Sequence, residues 1–437
     1  MTRRQFLFHA GAVGLGLLSS RAALSAPAAR RRPELRITRI LVQDAKGRRL
    51  TPVAPNAYAV YRGYDVREPV LRIQTAQGLE GICNRRGTPE QLKQLLGLDP
   101  FALFEWDGDV VRGPAETHRK LLADLAGSDV ALFDLLGRAL RRPVAELLGK
   151  RVRSEVTVYD SSLYMEDLLK PAEREGLTYL EGAAPGDDAE LVARKAEWIL
   201  RQPYAVRVLK IKIGRAKWMA SFDEALARDI AVFKAVRRAV GKSIKLFVDG
   251  NDGYKPRPHA AAEFAEATGP LGLYAMEEMF PDALLPETHE LKRRLRAAGL
   301  KTKLADGEDN LGGIRPKSRV ERFAGPRGEE PLFDIDQGDM NAAGYLRLRE
   351  TARDCATRGM TMAPHNFGSK FGFYAMVHLG LVTPNWEFCE SDDTQIPALV
   401  PAGFSIRKGM ARLTGEPGLG LKLNEDKLEK PSLKLEV

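Results

Sequence analysis

Between Glu155 and Phe388 the chain alternates short apolar stretches with longer amphipathic ones, and this alternation restricts the fold more than any other feature. The apolar stretches are Glu155 to Tyr159, Val208 to Ile213, Ile244 to Val248, Leu273 to Met276, Lys303 to Ala305, Leu332 to Ile335, Met360 to Ala363 and Trp386 to Phe388. Each is of strand length, and most are separated by segments with helical spacing, such as Phe222 to Val240 and Leu284 to Ala298. Strands joined through helices pair in parallel. Eight of them predict an α/β architecture, a (β/α)7–8 TIM-type barrel over residues 154–395.

In such a barrel the C-terminal strand ends converge on one mouth. Here those ends are charged, strand after strand. Leu209-Lys210-Ile211-Lys212-Ile213-Gly214 alternates so that both lysines share one strand face. Two neighbouring ammonium groups repel, which predicts a lowered pKa for at least one and a candidate general base. The next three strands end in Asp249-Gly250-Asn251, Glu277-Glu278 and Asp306-Gly307-Glu308. One carboxylate from each makes an all-oxygen cluster that needs a counter-ion, and hard oxygen ligands suit Mg²⁺. Asp339 and His365 end adjacent strands, and a carboxylate beside an imidazole fixes its tautomer and raises its basicity. The eighth stretch holds Glu387, with Glu390 close behind.

The flanks differ in texture. From Glu34 to Arg86 the pattern is β, with strands expected at Leu35 to Val42, Ala57 to Tyr64 and Val70 to Thr75. A helix follows from Ser128 to Leu140, so 34–153 reads as an α+β capping domain. The alternation in Leu419 to Leu423 comes too late for the barrel and is expected to return 396–437 to that cap. Arg3-Arg4-Gln5-Phe6-Leu7 leads an apolar Gly/Ala-rich run and a small-residue zone, which reads as a twin-arginine-type signal over 1–29 and export from the cytoplasm. No later stretch is apolar enough to span a bilayer. The net charge of +9 is partly the leader and Arg30-Arg31-Arg32, and no aromatic-interleaved basic stripe points to nucleic acid. Three widely spaced cysteines, Cys83, Cys355 and Cys389, read as core thiols.

Lys210-Ile211-Lys212, the three strand-end acids and the Asp339/His365 pair resemble the enolase superfamily, and within it the mandelate racemase subgroup. The resemblance spans nearly the whole chain after the leader. It implies Lys212 as the base with Lys210 beside it, Asp249, Glu277 and Glu308 as Mg²⁺ ligands, and Asp339–His365 as a dyad. It implies Glu387 as the acid that hydrogen-bonds a carboxylate oxygen of the intermediate. Substrate contacts are expected from Asn251 and from cap loops carrying Tyr61, Arg62, Tyr64 and Arg85. The family's usual Glu-Glu-Pro is replaced by Glu277-Glu278-Met279-Phe280-Pro281, and its Gly-Gly by Gly344-Tyr345.

The implied chemistry is removal of the proton α to a carboxylate, with Lys212 on one face and His365 on the other. Dehydration of a sugar acid is the first expectation, and racemisation or epimerisation of a 2-hydroxy acid is the alternative. A reading of another class is an exported acid-binding protein without turnover. A small-molecule carboxylate is the expected partner, and assembly as a homo-oligomer is expected.

Overall fold

The computed structural model describes residues 32–84, 87–182, 188–204, 206–281, 284–308, 316–325 and 329–437; the expected signal segment and Arg85 lie outside the described residues. Eight parallel strands form the centre: Val156–Leu163, Val208–Lys212, Lys245–Asp249, Leu273–Glu277, Lys303–Asp306, Ile335–Asp336, Thr361–Met362 and Cys389–Ser391. Pairing runs in sequence order from the first to the seventh. The ring closes where Trp386 bridges Met362 and Cys389–Ser391 pairs with Val158–Asp160 of the first strand. A helix lies between each pair of successive strands, from Asp188–Leu200 to Lys370–Val382.

The barrel interior is filled by one residue from every strand or directly flanking it: Tyr159, Val208, Phe247, Ala275, Ala305, Ile335, Ala363 and Phe388. Three aromatic rings interlock here, Tyr159 lying 6.1 Å from both Phe247 and Phe388, while alanines opposite leave room for them. Two residues further along each strand, the period-two alternation puts Ser161, Lys210, Asp249, Glu277, Gly307, Gln337, His365 and Glu390 on the same inward face. An apolar plug thus carries a polar ring directly above it.

The N-terminal layer is an antiparallel sheet in which Ile37–Val53 pairs with Gly63–Thr75, which pairs with Glu80–Cys83. Ala57 to Tyr64, expected as a strand, is mostly a loop. Asn56 Oδ1 accepts from the Ala59 N–H (2.7 Å) and the Tyr58 N–H (3.2 Å), a local turn that competes with the ladder. The C-terminal segment splits its allegiance. Phe404–Arg407 and Met410–Leu413 form a hairpin on the start of the first barrel strand, whereas Leu433–Glu436 pairs with Arg39–Val42. Residues 33–437 are one compact unit.

Two contacts tie helices to this frame. Gly344 interrupts Met340–Ala356 with φ 69°, and a Cβ there would meet Asp129 Oδ1 at 1.9 Å. The freed Leu346 N–H donates to Asp129 Oδ2 (2.8 Å), so the one glycine retained at 344–345 is the one the kink requires. Glu68 reaches from the N-terminal sheet to accept the Lys370 (3.1 Å) and Phe371 (3.3 Å) N–H groups, capping the last barrel helix.

His378 is buried between the barrel and the tail. Its Nδ1 accepts from the Ala145 N–H (3.1 Å) and its Nε2 side faces the Leu419 carbonyl (3.2 Å), which fixes the neutral Nε2–H tautomer. Burial pushes the imidazole down from 6.5 to about 3. Between those values the unfolded chain binds the extra proton, so this contribution is complete above pH 6.5 and is lost as pH falls toward 3. Denaturant melts from pH 7 to 4 should show a loss approaching about 1.4 kcal/mol per pH unit from this group, and His378→Gln should flatten that slope.

Candidate active site at the barrel mouth

Register sets the last charged groups of three successive strands side by side: Lys212 pairs across to Asp249, and Asp249 to Glu277. Leu209, Ile211 and Ile213 turn outward into the main core, which leaves Lys210 and Lys212 facing in. Lys210 Nζ donates to Glu277 Oε1 at 2.9 Å and lies 3.1 Å from Glu390 Oε1 and 3.4 Å from Asp249 Oδ2. Lys212 Nζ pairs with Asp249 Oδ2. Across the mouth His365 Nδ1 donates to Asp339 Oδ2 (2.7 Å), and its Nε2 is 3.2 Å from Glu308 Oε2.

Charge balance decides the protonation states. Burial is the largest influence on Lys212 and works against its charge, but the combined attraction of Asp249, Glu277 and Glu308 outweighs that and the push from Lys210, so its pKa is raised. The lowering expected from the paired lysines is therefore one contribution and not the outcome. Burial likewise opposes charge on His365, yet Glu308 and the Asp339 hydrogen bond lift it to about 10. Glu390 is held down at about 2 by Lys210 and His365 despite its burial. Glu277 is raised to about 8 by burial and then by Asp249.

Glu387 requires a correction. Its carboxylate meets Tyr274, Lys303 and Thr361, which begin barrel strands four, five and seven, so it lies at the opposite end of the barrel. The eighth strand starts at Cys389, later than the apolar stretch suggested, because pairing with Val158 sets its position. Glu390 is the inward acid, two residues above the plug residue Phe388.

The predicted substrate contacts separate. Arg62 and Asn251 line a cavity of about 100 Å³ together with Lys212, Glu308 and His365. Tyr58, Tyr164 and Phe367 add aromatic faces to its walls. Tyr61 and Tyr64 instead pack on a second apolar cluster around Val53, Leu169 and Leu177, with the Arg48 guanidinium 4.4 Å from the Tyr64 ring. The loop roofing the cavity is pinned to the barrel by Trp218 Nε1 donating to Asn56 O (2.8 Å) and Lys217 Nζ to Tyr58 O (2.9 Å). A wider cleft of about 500 Å³ adjoins it, sharing Tyr58 and Asn251 and reaching Lys217, Ser221 and Lys255.

Sequence reasoning missed Glu278. Burial, then repulsion from Glu308 and Asp249, pushes its carboxyl up to about 11, and it accepts from Asn251 Nδ2 at 3.1 Å. Asn251 (φ 41°) and Glu278 (φ 43°) both occupy the left-handed region, a strain that non-glycine residues carry mainly at functional sites. The doubled acid after strand four was the available signal.

As the side chains stand, no group of three or more metal-ligating residues is drawn together to hold an ion among the described residues; Lys212 and His365 occupy Asp249 and Glu308 instead. The donor chemistry nevertheless fits a hard cation. Glu277 Oε2 is buried with no hydrogen-bond partner among the described residues, which is costly for a carboxylate unless a cation takes it.

A closed parallel barrel with lysine and histidine facing each other over strand-end carboxylates defines an enolase-type enzyme. A family model described as "Enolase C-terminal domain-like" matches residues 190–427, and the chain belongs to that family, within the mandelate racemase-like enzymes of the enolase superfamily. It is 26% identical over 357 residues to the D-galactonate dehydratase family member RspA of Pantoea ananatis, covering 76% of this chain and 79% of that one. The galacturonate dehydratase of a Geobacillus species, solved with D-galacturonate and 5-keto-4-deoxy-D-galacturonate, superposes with a TM-score of 0.74 at 25% identity, covering 90% and 95% of the two chains. A mandelate racemase/muconate lactonizing protein from Geobacillus sp. Y412MC10, complexed with magnesium/tartrate, gives 0.73 at 25% identity over 90% and 94%.

The reassignment of the eighth-strand acid is testable by paired substitutions. Glu390→Gln should lower turnover at this mouth by about tenfold to hundredfold, the scale of a charged hydrogen bond. Glu387→Gln should leave turnover within about twofold and lower stability by about 1–3 kcal/mol, since Lys303 loses its partner. Steady-state kinetics and denaturant melts of both variants read the two effects separately.

Proposed function

We propose that this enzyme dehydrates a sugar acid by removing the proton α to its carboxylate, with a divalent ion, Mg²⁺ by donor chemistry, held by Asp249, Glu277 and Glu308. The observation that carries this reading is that Lys212 and His365 line the same small cavity from different strands, together with Glu308 and Asn251. When bound, the ion would offset the charge that builds on the substrate carboxylate. Lys212, which must first give up the proton that Asp249 helps it hold, would serve in its neutral amine form as the base for the C2 proton. The electron pair left behind expels the C3 hydroxyl, and the Asp339-supported His365 supplies the proton that lets it leave as water. The enol that results tautomerises to a 2-keto-3-deoxy acid. Glu390, held anionic against Lys210, and neutral Glu278 shape the oxygen-rich floor. The wider cleft beside Tyr58 gives the polyol chain a place to lie.

The dehydratase names of RspA's family and of the galacturonate enzyme favour elimination over simple proton return. We also propose export from the cytoplasm, on the sequence of Arg3-Arg4 and the apolar run behind it; a fusion of residues 1–29 to a reporter should lose export when both arginines become lysine.

Incubation with Mg²⁺ and a panel of aldonic, uronic and aldaric acids in D₂O tests the chemistry. Formation of a 2-keto-3-deoxy product is expected with at least one acid, and Lys212→Ala should slow it by about 10²–10⁴, the span of one general base. Exchange of the α-proton with no keto product would reassign the enzyme as a racemase or epimerase. Binding without exchange on any acid would make it a binding protein.

A further inference from the structure

The polar ring above the barrel plug contains a long amide side chain that the mechanism does not use. Gln337 is only 1% exposed, and neither its Oε1 nor its Nε2 has a hydrogen-bond partner among the described residues. An amide left bare on both atoms is costly to bury, and a fold tolerates it where a partner arrives later. Its direction follows from register. Ile335, two residues earlier, belongs to the interior plug, so alternation turns Asp336 outward and Gln337 inward. The ladder continues through it, because its N–H donates to Asp306 O (2.9 Å) and its carbonyl accepts from the His365 N–H (3.1 Å). The neighbours on either side are Gly307, with no side chain, and Ala363, with only a methyl. The amide therefore faces the barrel axis between the strands that deliver Glu308 and His365.

We infer that Gln337 is a substrate-positioning residue that reads the α-hydroxy-carboxylate edge of the bound acid, its NH₂ donating to a carboxylate oxygen and its carbonyl accepting from the α-hydroxyl. The match is chemical. A primary amide presents a donor and an acceptor side by side, and a 2-hydroxy acid presents an acceptor and a donor at a similar separation. The charged members of the ring are occupied with one another. Lys210 serves three carboxylates, and His365 is shared between Asp339 and Glu308. Gln337 is an uncharged group at this level with both amide atoms available to make the two bonds at once. This inference rests on the acid-binding reading above.

The test compares tartrate with succinate, acids that share two carboxylates and differ in the hydroxyls, by calorimetric binding to the full chain in Mg²⁺. Wild type should prefer tartrate. Gln337→Leu, and Gln337→Met as a second variant closer in shape, should shrink that preference by about tenfold to hundredfold, the range for buried hydrogen bonds left unmade. The melting temperature without acid should stay the same or rise, because an unpaired buried amide has been removed. An unchanged preference in either folded variant, or a lower melting temperature with the preference intact, overturns the inference and makes Gln337 a structural residue. Failure of wild type to bind either acid would sink the inference and the acid-binding reading together, whereas turnover by wild type with an unaltered preference in the variants would sink the inference alone.

Discussion

The burial of the Lys210 ammonium among three carboxylates holds the mouth of this barrel together. Lys210 is the shared partner of Asp249, Glu277 and Glu390, which come from the third, fourth and eighth strands, and both it and they are almost without solvent. Charges so deeply buried are costly unless paired, and removing one partner leaves the others uncompensated, at about 3–5 kcal/mol. Lys210 is thus less a modulator of its neighbour than the counter-ion that permits three acids to converge. Lys212, one alternation closer to solvent, meets the same Asp249 oxygen that Lys210 approaches, and His365 pairs with Glu308. Two cations capable of moving protons stand where they must because the acids beneath need balancing.

The geometry beneath this network is simple. One inward residue per strand fills the barrel, and the next inward residue faces the mouth. Aromatics on strands one, three and eight are matched by alanines on strands four, five and seven, so the plug is dense while the ring above keeps its width. The rest of the chain closes this ring from outside. Glu68 ties the N-terminal sheet to the last barrel helix, and Trp218 and Lys217 hold the loop around Tyr58 over the cavity. The strain at Asn251 and Glu278 lies where these parts meet, and it persists because the surrounding hydrogen bonds over-determine it.

Most of this was legible in the sequence, for a physical reason. Parallel barrel strands are short apolar runs, and their charged ends stand out, so Lys210, Lys212, Asp249, Glu277, Glu308, Asp339 and His365 could be identified before any geometry was known. What failed was register. Trp386-Glu387-Phe388 reads as a strand by hydrophobicity, but the strand's position is set by pairing with Val158–Asp160, far away in sequence. The acid two residues after Phe388 becomes recognisable only once the plug is seen. Protonation failed similarly, since a Lys-x-Lys pair viewed alone predicts repulsion, whereas the acids that decide the balance come from other strands. The loop at Tyr58 was mistaken for strand because the Asn56 turn is a matter of side-chain hydrogen bonding, to which apolar–polar alternation is blind.

The central claim is that Asp249, Glu277 and Glu308 are a cation site whose flanks Lys212 and His365 occupy. Mn²⁺ binding followed by electron paramagnetic resonance tests this most directly, because it needs neither substrate nor turnover. The account predicts one ion per chain, with affinity falling by about tenfold or more in Glu277→Gln and rising in Lys212→Met, which frees Asp249. An ion bound equally well after Glu277→Gln, or no bound ion in the wild-type protein, would contradict it.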